Sequence, residues 1–324
     1  MTIDRRRLIA GSAAAAASTF AGPAVGQAWP ARPVRLIVPY APGGPTDAIA
    51  RLVADQLSKI WGQQIVTENR GGAGTNIGAE AVARSEPDGY AMLVGSGALA
   101  INRNLYKSLS YDAVTDFAPV STICAFSFFF VVPVTSPARS VQEFIAYAKA
   151  NKGKVTYASP GTGSPPHLGG ELLKSMAGIE MTHVPYRGAS PALTDLLAGR
   201  LDMILMSGLS IEYIKAGKIR GLAFSGAARS PAMPELPTIA EAGVPGYEVS
   251  SWYGFFVPGK TPRPIVEKMS ADTRTALAEP AVRARLDQLG YVIGGSTSAE
   301  LSALLKAEID KWGPIIKAAN IAVD

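Results

Sequence analysis

Residues 34–60 read VRLIVPYAPGGPTDAIARLVADQLSKI, and this stretch decides the fold. Val34–Val38 is a short run of β-favouring residues that ends in the Pro/Gly loop Pro39–Pro45. A helix follows from about Thr46 to Ile60, because Ile49, Leu52, Val53, Leu57 and Ile60 recur at helical spacing on one face. The same unit repeats at once. A strand from Gln64 to Thr67 runs through Gly71-Gly72-Ala73-Gly74 into a helix near Ile77–Arg84, and Tyr90–Val94 is a third strand. Strand, glycine loop and helix in repetition predict a parallel α/β sheet.

A second unit begins at Phe128-Phe129-Phe130-Val131-Val132, a continuous apolar run that suits a strand buried on both faces. A helix over Val141–Ala150, a strand over Val155–Ala158 and a loop from Ser159 to Pro166 follow. The next helix carries Leu168, Leu172, Leu173 and Met176. Thr182–Val184 is a strand. Ser190 is the expected cap of a helix with Pro191 at its first position and Gly199 just past its end. Asp202–Met206 and Ile219–Phe224 are further strands, and residues 228–245 read as a long proline-rich connection. After a strand over Trp252–Val257 the chain turns helical, with Thr297–Glu300 as a capping box. The expected organisation is two lobes: residues 29–126 with 247–324, and residues 127–246.

Bulk properties agree. The chain has 324 residues, 48% hydrophobic and 18% charged, enough for two cores and too apolar for a disordered chain. Arg5-Arg6-Arg7, a weakly hydrophobic stretch to Val25 and the small residues Gly26-Gln27-Ala28 read as an export signal cleaved near Ala28. A twin-arginine signal and a general secretory signal share this plan, and an uncleaved anchor helix is the alternative. Residues 1–28 hold three Arg and one Asp, so removing them lowers the net charge from +5 to +3. That is too little to predict nucleic-acid binding. The single Cys124 excludes a disulfide framework and a thiolate metal site.

Familiar catalytic motifs are missing. There is no G-x-S-x-G, H-E-x-x-H or G-x-x-x-x-G-K-[ST] motif, and Ile77 stands where G-x-G-x-x-G needs its third glycine. His167 and His183 lie on separate elements, and His183 reads as a structural histidine in a strand. No catalytic residue, metal or cofactor is expected. What recurs instead is a glycine loop that follows a strand and feeds a helix: residues 39–47, 70–76 and 159–164. Each places backbone N–H groups at a helix start, where the macrodipole favours negative charge. Thr46, Thr75, Thr162 and Ser164 add hydroxyl donors. Such loops also serve as plain turns and caps, and Asp47 reads first as a brace for its own loop.

Several ordered blocks resemble the tripartite tricarboxylate transporter substrate-binding proteins, the Bug family. They include Trp29-Pro30, Val38–Gly44, Glu68–Gly74, Pro87–Tyr90, Pro160–Ser164 with His167-Leu168, Val184–Gly188, Pro191–Gly199 and Pro237–Gly243. The similarity spans the mature chain. Leu205 stands where the family more often has an aromatic residue.

The resemblance implies a type II periplasmic binding-protein fold, with two lobes joined by hinge strands and a cleft between them. It implies that Tyr40, Pro42, Gly43, Gly44, Thr46 and Asp47 grip a ligand carboxylate against Gly161, Thr162, Gly163, Ser164 and His167. Ala73, Gly74, Thr75, Tyr186 and Asp202 would line the rest of the cleft, and Ser96 joins the candidate set. The implied role is capture of a small carboxylate in the periplasm by a monomer that docks on the membrane subunits of a tripartite tricarboxylate-type transporter. Di- and tricarboxylates, acidic amino acids and aromatic acids all stay open as ligands. A sensing role, or an exported enzyme with an unrecognised site, is the alternative.

Overall fold

The computed structural model describes residues 29–318 and residue 321; the expected export signal, residues 1–28, lies outside the described residues. The chain builds two sheets. The first has the order β11-β4-β10-β3-β1-β2, from β1 (Val34–Val38), β2 (Ile65–Asn69), β3 (Ala91–Ser96), β4 (Phe117–Ser127), β10 (Ser250–Pro258) and β11 (Val292–Ile293). The second has the order β7-β6-β8-β5-β9, from β5 (Phe129–Pro133), β6 (Thr156–Ser159), β7 (Thr182–Pro185), β8 (Met203–Met206) and β9 (Ile219–Phe224).

Alternation along β1 explains the layering. Val34, Leu36 and Val38 enter one core with Ile49, Val53 and Leu57 of α1 (Pro45–Trp61). Ile37, pointing the other way, packs with Ala79 and Val82 of α2 (Asn76–Ala83) and with Leu301 and Leu305 of the last long helix. The second sheet repeats this arrangement. Phe130 and Val132 share a core with Phe144 and Leu173, whereas Phe129 and Val131 share one with Ala192, Leu196 and Ile211. Each sheet is therefore covered on both faces, which is why β3 and β5 are buried along their whole length.

The sheets are mixed. Strands β1, β2 and β3 pair in parallel, as do β6, β7 and β8. Around β10 and β5 the pairing is antiparallel. Most strands still run one way in each sheet; the two-residue β11 runs against them, as do β10 and β5. A fully buried apolar run looks the same in either direction, so the sequence pattern cannot mark these two as reversed.

Strands β10 and β5 sit where the chain crosses between sheets. Only Phe128 separates β4 of the first sheet from β5 of the second. The return path runs from β9 through residues 225–249 into β10. Ser225 ties the two crossings together. Its N–H donates to Phe128 O at 2.7 Å and its Oγ accepts from Phe128 N at 2.8 Å. Its Oγ also donates to Val249 O at 2.6 Å, and its carbonyl accepts from Val249 N at 2.9 Å.

Other expectations meet the structure directly. Thr297 and Glu300 form the reciprocal box, with Thr297 N donating to Glu300 Oε2 at 2.7 Å and Glu300 N to Thr297 Oγ1 at 3.2 Å. Cys124 is fully buried, and burial pushes its thiol up. The helix placed after Ser190 starts earlier, with Gly188 as its flanking residue and Ala189 as its first, making α6 Ala189–Leu197. Among the described residues no helix is long and apolar enough to cross a membrane, and no cluster of metal-ligating side chains occurs.

Candidate functional site

The loops that follow the parallel strands meet in pairs across the seam between the sheets. The loop after β1 docks on the loop after β7: Ala41 N donates to Arg187 O at 2.8 Å, and Ser190 Oγ donates to Pro42 O at 3.2 Å. The loop after β2 docks on the loop after β6. Gly74, at φ +61, lies so close that a Cβ there would sit 2.1 Å from Thr162 O. No side chain larger than hydrogen fits at that crossing.

Between these contacts lies a cavity of about 40 Å³. Room for one water is roughly 10–15 Å³, so the cavity holds more than a single solvent molecule. The first sheet's side contributes Tyr40, Gly44, Thr46, Ser96, Phe126, Ser251 and Tyr253. The second sheet's side contributes Phe128, Ser164, Ala189, Leu205, Met206 and Ser207. Tyr40 Oη and Ser96 Oγ share a hydrogen bond of 3.1 Å, and Thr46 Oγ1 donates to Tyr253 Oη at 2.9 Å. Burial pushes the Tyr40 phenol up to about 12 and the Tyr253 phenol well above its usual value, so both stay neutral donors. No carboxylate, lysine, arginine or histidine side chain lines the cavity.

Among the helix starts that border it, those of α1 and α6 present main-chain donors in their first turns. Helix α1 begins after Gly44 with no side-chain cap, and Pro45 has no N–H, so Thr46 supplies the first main-chain donor. Helix α6 likewise begins uncapped, leaving the N–H groups of Ala189 and Ser190 as first-turn donors ahead of Pro191. These two starts belong to different sheets and both favour negative charge.

The loop expected to supply the second set of amides uses three of them internally. Gly161 N donates to Ser159 Oγ at 3.2 Å, Gly163 N to His167 Nδ1 at 3.2 Å, and Ser164 N to Gly161 O at 3.1 Å. Pro165 and Pro166, at the start of α5 (Pro165–Ala177), have no N–H to offer. Ala189 and Ser190, at the start of α6, add main-chain donors on the second sheet's side.

The predicted residues divide by position. Tyr40, Gly44, Thr46, Ser96 and Ser164 line the cavity. Ala73, Gly74, Thr75, Gly161, Thr162 and Tyr186 line a separate groove along the docked glycine loops. Asp47 braces its own loop: its carboxylate accepts from Gly43 N at 3.0 Å, Arg51 Nε at 3.1 Å and Asn69 Nδ2 at 2.9 Å. Burial raises the Asp47 carboxyl, but the Arg51, Gly43 and Asn69 donors outweigh it and hold the group below the usual carboxylate range. Gly43 and Pro42 thus serve the loop and the seam.

His167 is held inside the second lobe. Its ring stacks on His183 at 4.0 Å between centroids, while Tyr157 packs on His183 at 4.9 Å. Because His167 Nδ1 accepts from Gly163, its proton resides on Nε2. Asp202 lies away from the cleft. Its carboxylate accepts from Thr156 N at 2.8 Å and Thr156 Oγ1 at 2.9 Å. It precedes β8, whereas the cleft loops follow the carboxyl ends of their strands.

Sequence reasoning missed Ser207, Ser251 and Tyr253. The first was findable, because Leu205-Met206-Ser207 close a predicted strand at its carboxyl end. Ser251 and Tyr253 come from reversed β10, and no local signal turns that strand toward the cleft.

Known proteins share this architecture. Residues 49–321 match the model of the tripartite tricarboxylate transporter family receptor. A protein of Pseudomonas sp. strain P51, described as lying in the tcbD-tcbE intergenic region, is 40% identical over 97% of this chain and 94% of its own. The structure of Rpa4515 of R. palustris with adipate superposes with a TM-score of 0.88 at 40% identity, covering 91% of this chain and 99% of that one. The periplasmic binding protein BugD superposes with a TM-score of 0.88 at 33% identity, over 91% of this chain and 99% of its own. The chain belongs to the tripartite tricarboxylate transporter receptor family, the Bug-type binding proteins, and has their two-lobed fold.

Proposed function

We propose that this protein captures a small carboxylate between its lobes in the periplasm and delivers it to the membrane subunits of a tripartite tricarboxylate-type transporter. It acts as a binder and carries out no chemistry on its ligand. The lobes divide as residues 29–126 with 247–324 and residues 127–246, and residues 1–28 direct export. One observation carries the reading: two uncapped helix starts, from opposite sheets, open with seven neutral hydroxyls onto one cavity. An anion there is held by fixed dipoles and needs no cationic side chain. Ligand contact with both sides favours the closed arrangement over an open one, the population shift that hinge closure requires.

Thermal unfolding against a panel of carboxylates tests this. A ligand present at ~100 times its Kd adds about 2.7 kcal/mol. For a chain of this length the midpoint rises by roughly 5 °C. A panel in which no carboxylate moves the midpoint overturns the proposal.

A further inference from the structure

We infer that the ligand carries a single carboxylate and that the remainder of it is uncharged and apolar. This deepens the carboxylate-binding reading and rests on it. The two sides of the cavity differ in chemistry. Hydroxyls crowd the first sheet's side: Tyr40, Thr46, Ser96, Ser251 and Tyr253. Ser251, only 4% exposed, is among the residues that line the cavity.

The opposite side is mostly hydrocarbon. Phe128, Pro160, Pro165, Leu205 and Met206 form it. Of its two hydroxyls, Ser164 Oγ already donates to Gly161 O at 2.6 Å. A carboxylate placed on the polar side meets hydroxyls and helix starts. A second carboxylate on the same ligand would press against Leu205 and Met206, away from the hydroxyls and helix starts that hold the first and with no cation to replace them. Burying such an unpaired charge is strongly unfavourable. His167 cannot supply that cation. Burial holds its ring down to about 4, and its Nδ1 is engaged by Gly163 N.

An apolar tail reverses the balance, because the same wall then gains buried hydrocarbon contact. Adipate, present in the similar R. palustris structure, carries a carboxylate at each end and so marks the contrast.

Matched acids that differ only in the second carboxylate decide the matter: butyrate against succinate, valerate against glutarate, hexanoate against adipate. Isothermal calorimetry on the purified mature chain is expected to show the monoacid binding tighter in each pair by roughly tenfold or more, the size of an uncompensated charge of at least ~1.4 kcal/mol. Diacids that bind as tightly as their monoacids, or tighter, overturn this inference and leave carboxylate capture standing. If no acid of either kind binds, carboxylate capture fails and this inference fails with it.

Discussion

The backbone N–H of Ala41 donates to the carbonyl of Arg187 at 2.8 Å, joining the loop after β1 on one sheet to the loop after β7 on the other. Beside it, Gly74 and Thr162 make the second crossing. Apolar packing of Leu168 against Ile101, Leu105 and Trp312 joins the same two parts of the chain. A ligand that touches both sides adds to these contacts and shifts the balance toward the closed arrangement.

Gly163 guards that seam. It has φ +81, and a Cβ there would lie 2.1 Å from Asn102 Oδ1, which reaches over from the first lobe. Gly163→Val is expected to hold the lobes apart and weaken ligand binding by roughly tenfold or more. Gly153→Val is the control, because Gly153 has φ +71 with nothing within 4 Å. It bears only the left-handed backbone cost of ~1–2 kcal/mol. Calorimetry and solution scattering measure both effects; equal affinities for the two variants would contradict the assignment.

Thr46 is the hydroxyl that pairs with Tyr253. Thr46→Val keeps the shape but leaves a fully buried phenol unpaired, which lowers stability by about 1–3 kcal/mol. Urea unfolding reads that loss. Ligand affinity is expected to fall as well, and unchanged affinity would remove Thr46 Oγ1 from the site.

Ser225 bonds both crossing segments. Ser225→Ala strands the buried Phe128 N–H and Val249 carbonyl and is expected to lower stability by roughly 2 kcal/mol. A variant as stable as the parent would show that the crossings are held by packing alone.

Acid should weaken the second lobe. Burial, then the neighbouring histidine and Lys174, hold the His183 ring down to about 3, and burial holds His167 down to about 4 despite Glu171. Unfolded histidine titrates near 6.5. Between roughly pH 6.5 and 4 the unfolded chain binds more protons than the folded one, so stability falls as pH drops through that window. Protonated Nδ1 of His167 could no longer accept from Gly163 N, which loosens the glycine loop. Denaturation followed from pH 7 to 4 should show a shallower decline for His183→Asn than for the parent; identical declines would count against the histidine pair.

How much of this was legible depends on whether the cause was local. The β1–loop–α1 unit announces itself because helical spacing and a Pro/Gly loop are short-range signals. The box at Thr297 and Glu300 does so for the same reason. Strand β4 gives no such signal: its burial follows no alternation, and its pairing with β10 shifts register twice. The stack of His167 on His183 arises because β7 lies beside β6, a neighbourhood that only the folded sheet creates. For the same reason Ser251 and Tyr253, on a reversed strand, reach the cleft unannounced. The glycine loop at Gly161–Ser164 was found, yet its amides turn inward, because Ser159 and His167 compete for them locally.

A crystal structure of the protein with a bound short monocarboxylate tests the central claim most directly. The account predicts one carboxylate in the cavity, within hydrogen-bond distance of the Thr46 main chain or the Ser96 and Ser251 hydroxyls on one side and of the Ala189–Ser190 amides on the other. A ligand seated in the groove beside Gly74 and Tyr186, or held by one lobe alone, would contradict it.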